Sequence, residues 1–154
     1  LLHQGGLQVQ PGAGRREVQP RGQQLRQRRE ESLTQSDRQR LGAAAERAVT
    51  EYLTARGYEI VARNLKLGRL ELDVVARHER LVVVVEVRAR SPSAWTTGLS
   101  SIDTKKRGRV RRAGERLWRH RYRNDTSVDR MRFDAASVTF DDGVPVVEYV
   151  VAAF

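Results

Sequence analysis

The sequence predicts an α/β domain: a mixed central sheet with helices on both sides, in the order helix, three strands, helix, two strands. Three observations predict it. Residues 69–90, RLELDVVARHERLVVVVEVRAR, read as two strands joined by a tight polar turn, and the second is so continuously apolar that it must be covered on both faces. Ahead of this hairpin, Leu41, Ala44, Ala45, Ala48, Val49, Tyr52 and Leu53 recur at helical spacing. Behind it, Val110, Ala113 and Leu117 do the same inside an arginine-crowded stretch, and Asp141-Asp142-Gly143 joins two closing strands as a hairpin turn.

Residues 1–35 are rich in Gln, Gly, Arg and Pro, poor in aliphatics and free of aromatics. Such a segment cannot bury enough apolar surface to offset its ordering entropy, so it reads as a disordered basic tail, dispensable to or foreign to the domain at 36–154. The first helix starts at Ser36 or Asp37, either a good cap, and ends at Gly57. Glu46 falls beside its apolar stripe, where a solvated glutamate is the ordinary reading. Tyr58–Leu65 is a strand, with a turn around Lys66–Gly68 before the hairpin. Residues 91–99, SPSAWTTGL, make a loop. The second helix starts within Ser100–Thr104, where Ser100 and Asp103 fit a capping box, and runs to about Tyr122 with Trp118 facing inward. Asn124–Asp129 is a turn, and Arg132–Phe140 and Val144–Val151 are the last strands.

The chain carries a formal net charge of +10 and a sequence pI of about 11.0. That balance favours a polyanionic partner, nucleic acid and DNA above all, although nearly all the charge is arginine and a compositional bias would do the same. The clustering carries more weight. Lys105, Lys106, Arg107, Arg109 and Arg112 lead a run through Arg111, Arg116, Arg119, Arg121 and Arg123, with Glu115 the one acidic residue among them. At helical spacing these cover most of the circumference outside the apolar stripe, a surface able to track phosphates. The absence of cysteine excludes disulfides, thiol nucleophiles and thiolate zinc sites, and fits a cytoplasmic setting. The longest purely apolar run, Leu81–Val85, is far too short to cross a membrane. A homodimer is admitted as a further partner.

The chemistry concentrates in the hairpin. Residues two apart on a strand share a face, which groups Glu71, Asp73 and Val75 against Leu70, Leu72 and Val74. On the next strand Glu86 and Arg88 share a face with Val82 and Val84, and Leu81, Val83, Val85 and Val87 form the other. Pairing Ala76 with Leu81 sets Glu71 opposite Glu86 and leaves Asp73 diagonal to Glu86. A carboxylate ending a buried run needs a cation or a hydrogen-bond network. Two readings satisfy it: a divalent cation, for which hard oxygens suit Mg²⁺ or Mn²⁺, or a metal-free ladder of Glu71 and Glu86 against Arg69 and Arg88.

Asp73 followed by Glu86-x-Arg88 resembles the PD-(D/E)xK nuclease motif with arginine in place of the final lysine. More closely, the chain from Gly42 to the C-terminus is similar to the YraN family. Glu46 with Tyr52-Leu53 and Gly57-Tyr58 resembles that family's first helix and its exit, and Ala62-Arg63-Asn64 the end of its first strand. Glu71-Leu72-Asp73 resembles its Gly-Glu-Ile-Asp, and Val85-Glu86-Val87-Arg88-x-Arg90-Ser91 its Val-Glu-Val-Lys-x-Arg-Ser. Lys105 or Lys106 stands for the lysine opening its second helix, Arg132-Phe133-Asp134 for a late Arg-Phe-Asp, and Ala153-Phe154 for its ending. The resemblance implies a restriction-endonuclease-like fold and metal-dependent phosphodiester hydrolysis. It further implies that Asp73 and Glu86 hold the metal, Glu46 is a further ligand or orienter, and residue 88 faces the scissile phosphate.

Three departures bear on activity. Arg88 can stabilise charge but cannot take a proton from water at any useful pH, so the site is either an altered enzyme or a lapsed one. Leu70 and Ala45 each stand where the family has glycine. The resulting expectation is a Mg²⁺-dependent endonuclease on DNA, branched or structured DNA by analogy with the fold. Its alternatives are a noncatalytic nucleic-acid-binding protein derived from a nuclease, and a scaffold whose charges serve solubility. Trp95 reads as packing over a sheet edge, His78 and His120 as surface residues, and Asp134 as the structural partner of an arginine.

Overall fold

The structure is a computed structural model and describes residues 34–90 and 104–154. The expected basic tail, the 91–99 loop with Trp95, and the Ser100–Asp103 capping box lie outside those residues.

Helix α1 (Gln35–Thr54) is followed by strands β1 (Glu59–Leu67), β2 (Leu70–His78) and β3 (Leu81–Arg90). Helix α2 (Thr104–Leu117) continues into a π-helical turn, Trp118–Tyr122, and strands β4 (Arg130–Asp141) and β5 (Val144–Val150) close the chain. The element order is the one expected. The sheet runs β1-β2-β3-β4-β5, antiparallel except for the parallel β3–β4 pair that the α2 crossover makes possible.

Helix α1 buries Ala45, Ala48, Val49 and Leu53 against Val74, Ala76, Val83, Val85, Ala136 and Val138 on one face of the sheet. Helix α2 and the π turn bury Val110, Ala113, Leu117 and Tyr122 against Leu72, Val75, Val82 and Val84 on the other. Covering on both faces explains why Val82–Val85 are all fully buried. Gly114 lets α2 approach β4 closely, since a Cβ built there would stand 2.4 Å from Phe133 Cε1.

Several local expectations change. The N-cap of α1 is Thr34, not Ser36 or Asp37. Its hydroxyl accepts from the Asp37 N–H at 3.1 Å, and its own N–H donates back to the Asp37 carboxylate in a reciprocal capping box. Gly57, with φ 82, follows the helix end as expected. The hairpin closes on His78↔Leu81, two residues tighter than Ala76 with Leu81, because Glu79 adopts φ 53 and permits a two-residue loop. Glu71 therefore lies across from Lys66 of β1, exposed, and not opposite Glu86. The predicted alternation holds along β3, where Val82 and Val84 face α2 while Leu81, Val83, Val85 and Val87 face α1. It fails along β2: Leu70 and Leu72 pack with Val75 on the α2 side, and Val74 alone of the expected group faces α1. The break falls at Asp73, where the β2–β3 ladder has ended at Val74↔Val85.

Candidate active site

The site begins where β2 and β3 part. Beyond Val74↔Val85 the ladder stops, and the Val87 N–H is accepted by the Asp73 carboxylate, Oδ2, at 2.9 Å. A side-chain oxygen thus replaces the strand carbonyl, and this hydrogen bond pins Asp73 against the backbone that follows Glu86. Asp73 remains half-buried.

Glu86 continues the Val82, Val84 row toward α2 and is 2% exposed. Lys106, on the first turns of α2, places its Nζ 2.8 Å from Glu86 Oε1. Arg88, two residues along the same strand face, places Nε 3.6 Å from the same oxygen, too far for a hydrogen bond, and that buried Nε has no hydrogen-bond partner. Burial first, and the charge of Asp73 second, push the Glu86 carboxyl from its ordinary 4.5 up to about 7, against the opposing pull of Lys106 and Arg88. The anionic form is therefore costly even with two cations at hand. Of the metal-free ladder reading only the long Arg88–Glu86 contact is present: Glu71 lies exposed across from Lys66, and Glu86 is also met from the helix side by Lys106.

Glu46 projects from α1 toward β1, where the Asn64 amide donates to Glu46 Oε2 at 2.8 Å. The flanking pairs Arg63↔Val74 and Leu65↔Leu72 set Asn64 level with Asp73 on the neighbouring strand, and Asn64 takes φ 48 at that point. Glu46 thereby reaches the row of Asp73 through Asn64. Among the described residues no three His, Cys, Asp or Glu side chains converge as a metal cage, so Asp73 and Glu86 stand as a pair.

Whether that pair suits a divalent cation turns on which oxygens are already engaged. Among the described residues, Lys106 and Arg88 address Glu86 Oε1, and Val87 addresses Asp73 Oδ2. Among the described residues, no hydrogen bond or ion pair engages the second oxygen of either carboxylate. Two hard anionic oxygens with the remaining positions given to water fit Mg²⁺ or Mn²⁺, which keep several waters and use one or two carboxylates.

The predicted basic residues divide. Lys106 joins the carboxylates. Lys105, Arg109 and Arg112 line an open cleft with Thr104 and Gly108, and Arg107 is half-buried beside them. Asp134 is fully buried and structural: Arg132 donates to both its oxygens at 2.8 and 2.7 Å, the Tyr149 hydroxyl at 2.7 Å and the Ala152 N–H at 2.8 Å. Sequence reasoning missed the Lys106–Glu86 contact and the role of Asn64. An asparagine, tolerant of positive φ, inside a strand is the signal that could have marked the second.

The description "Uncharacterised protein family UPF0102" matches residues 45–138, a span that contains Glu46, Asp73, Glu86, Arg88 and Lys106. A UPF0102 protein of Sorangium cellulosum (strain So ce56) is 55% identical over 118 residues, covering 76% of this chain and 82% of that protein. A UPF0102 protein of Nocardia farcinica (strain IFM 10152) is 35% identical over 119 residues, 77% of this chain and 91% of its own length. One from Anaeromyxobacter sp. (strain Fw109-5) is 36% identical over 118 residues, 77% and 86% respectively. The motif resemblance and these matches agree, and the chain belongs to the UPF0102, or YraN, family.

Proposed function

We propose that this protein is a divalent-metal-dependent nuclease of restriction-endonuclease-like fold that hydrolyses phosphodiesters in DNA, with Asp73 and Glu86 as its metal-holding carboxylates. The observation that carries the reading is Glu86 itself, a carboxylate 2% exposed beside a second carboxylate and held in a low-dielectric setting that resists its charge. Structure alone gives little reason to keep such a pair, since burying charge is expensive and perturbed groups gather at functional sites. The order of elements supports it too: an antiparallel β1-β2-β3 meander, a helix, then a parallel β4, with Asp73 on the second strand and Glu86-Val87-Arg88 on the third.

A divalent cation bound by these carboxylates would supply Lewis-acid stabilisation of phosphoryl charge and acidify water. The chain's own groups do the rest. Arg88 offers fixed positive charge and no proton transfer. Lys106 brings the amine that the strand position lacks, within hydrogen-bond reach of Glu86. Glu46 and Asn64 brace the β1 side of Asp73, and the arginine-rich face of α2 tracks the backbone of the nucleic acid. Branched or structured DNA is the substrate class by analogy with the fold.

One observation favours a second reading, a noncatalytic nucleic-acid-binding protein. Lys106 and Arg88 both stand against Glu86, with Asp73 beside it, so two positive charges already face the carboxylates without any added cation. A cleavage assay separates the two. The full chain is incubated with supercoiled, linear and branched DNA under Mg²⁺, Mn²⁺ or chelator, beside Glu86→Ala. The nuclease reading expects cleavage with metal only and none from the variant. Cleavage that survives Glu86→Ala sinks the site assignment. Binding without cleavage, converted to cleavage by Arg88→Lys, establishes the second reading.

A further inference from the structure

Beside the carboxylate pair lies a small cleft of about 140 Å³ lined by Arg69, Leu70, Glu71, Lys106, Arg109 and Val110. We infer that this cleft is an anion subsite that seats one backbone phosphate of the bound strand next to the Asp73–Glu86 pair, with Lys106 shared between that phosphate and Glu86. The inference rests on the nucleic-acid reading above and names the place where the strand is gripped.

Three cations reach the cleft from two unrelated elements: Arg69 from the β1–β2 turn, and Lys106 and Arg109 from α2 one helical turn apart. Gly68, with φ 69, makes the turn that puts Arg69 there. One carboxylate, the exposed Glu71, stands against them, which leaves a net charge of two positive. Arg69 and Arg109 form no side-chain hydrogen bond or ion pair among the described residues, in contrast to Arg80 and Arg132, which are held by Asp129 and Asp134. Guanidinium groups held near one another and not engaged by a carboxylate are suited to a tetrahedral oxyanion, which they meet with paired N–H donors. The volume suits it as well, being several times what one water needs, so the cleft admits a phosphate group with a few waters. Lys106 ties the cleft to the chemistry, because its Nζ also touches Glu86 Oε1 at 2.8 Å. A phosphate seated there lies one ammonium away from the candidate metal ligands.

The test measures binding without cleavage. A fluorescently labelled duplex is titrated with the full chain in chelator across a range of salt concentrations. The chain is tested as wild type, Arg69→Ala, Arg69→Ala/Arg109→Ala, and Arg130→Ala. Arg130 is exposed at the far end of β3–β4, beside Leu81, and its replacement removes the same single charge away from the cleft. The subsite predicts an affinity loss of about tenfold for the double variant and a log–log salt slope shallower by about 1, the signature of one lost phosphate contact. Arg69→Ala alone loses severalfold, and Arg130→Ala less than twofold. Double-variant losses no larger than those of Arg130→Ala, or wild type that fails to bind at low salt, overturn the subsite. Because chelator abolishes metal chemistry, the outcomes separate from the nuclease reading. Cleft-dependent binding by a protein that never cleaves keeps the subsite and removes the activity. Metal-dependent cleavage with cleft-independent binding does the reverse.

Discussion

Glu86→Gln keeps the size of a buried side chain and one carbonyl acceptor for Lys106, and removes the charge. In the folded protein the Glu86 carboxyl titrates at about 7 instead of its ordinary 4.5, chiefly through burial and then through Asp73. At about 1.4 kcal/mol per pH unit, the ionised form costs the fold roughly 3 kcal/mol relative to the protonated acid. Between those two values the native state holds a proton that the unfolded chain has released. Its stabilising contribution is therefore full below about pH 4.5, falls as pH rises, and is gone above about pH 7. Glutamine has no such dependence. Lys106, 38% exposed, can be solvated when its anion is removed. Urea unfolding of both proteins in chelator, from pH 4.5 to 8.5, should show the stability difference moving in favour of the variant by roughly 2–3 kcal/mol across that range. Acid sensitivity elsewhere in the chain cancels in the difference. A difference that is flat with pH, or that moves against glutamine, refutes the reasoning and shows that the Lys106–Glu86 pair is a net stabilising bridge.

Gly114→Ala places a Cβ 2.4 Å from Phe133 Cε1 and 2.5 Å from Cζ, with the ring held against Phe154, so overpacking of about 1–3 kcal/mol should outweigh the helix-propensity gain of about 1 kcal/mol and lower Tm. Asp134→Ala empties a fully buried position and leaves the half-buried Arg132 guanidinium and Tyr149 hydroxyl without their partner, and should cost about 2–4 kcal/mol, against about 1 kcal/mol for Tyr149→Phe. Denaturant midpoints check both. Arg88→Lys should leave the unfolding midpoint within about 1 kcal/mol, since Arg88 is 39% exposed and its Nε contact to Glu86 is long at 3.6 Å. The same change should raise metal-dependent cleavage severalfold by restoring a titratable amine beside the carboxylates.

Much of this was legible in the chain because local periodicity governs it. The α1 stripe from Ala45 to Leu53, the doubly covered run Val82–Val85 and the Asp142-Gly143 turn with φ 45 and 83 all follow from spacing and turn chemistry. The location of the site was legible too, through Asp73 and Glu86-Val87-Arg88. What failed did so where tertiary context overrides period. The alternation of β2 breaks at Asp73 because its carboxylate stands in for a strand carbonyl, and no pattern of apolar residues announces that substitution. The register was misread by two residues because a non-glycine residue, Glu79, takes a left-handed conformation. The Lys106–Glu86 contact depends on how α2 docks across the sheet, a distance of twenty residues in sequence that spacing arguments do not reach.

The central claim is that Asp73 and Glu86 form a divalent-cation site, and the most direct measurement is calorimetric titration of Mn²⁺ into the full chain near pH 8, where Glu86 is ionised. The account predicts binding of one ion, lost in both Asp73→Asn and Glu86→Gln and retained in Glu71→Gln, whose carboxylate is exposed near the start of β2. Wild type that takes up no Mn²⁺, or binding that persists when either carboxylate is neutralised, contradicts it.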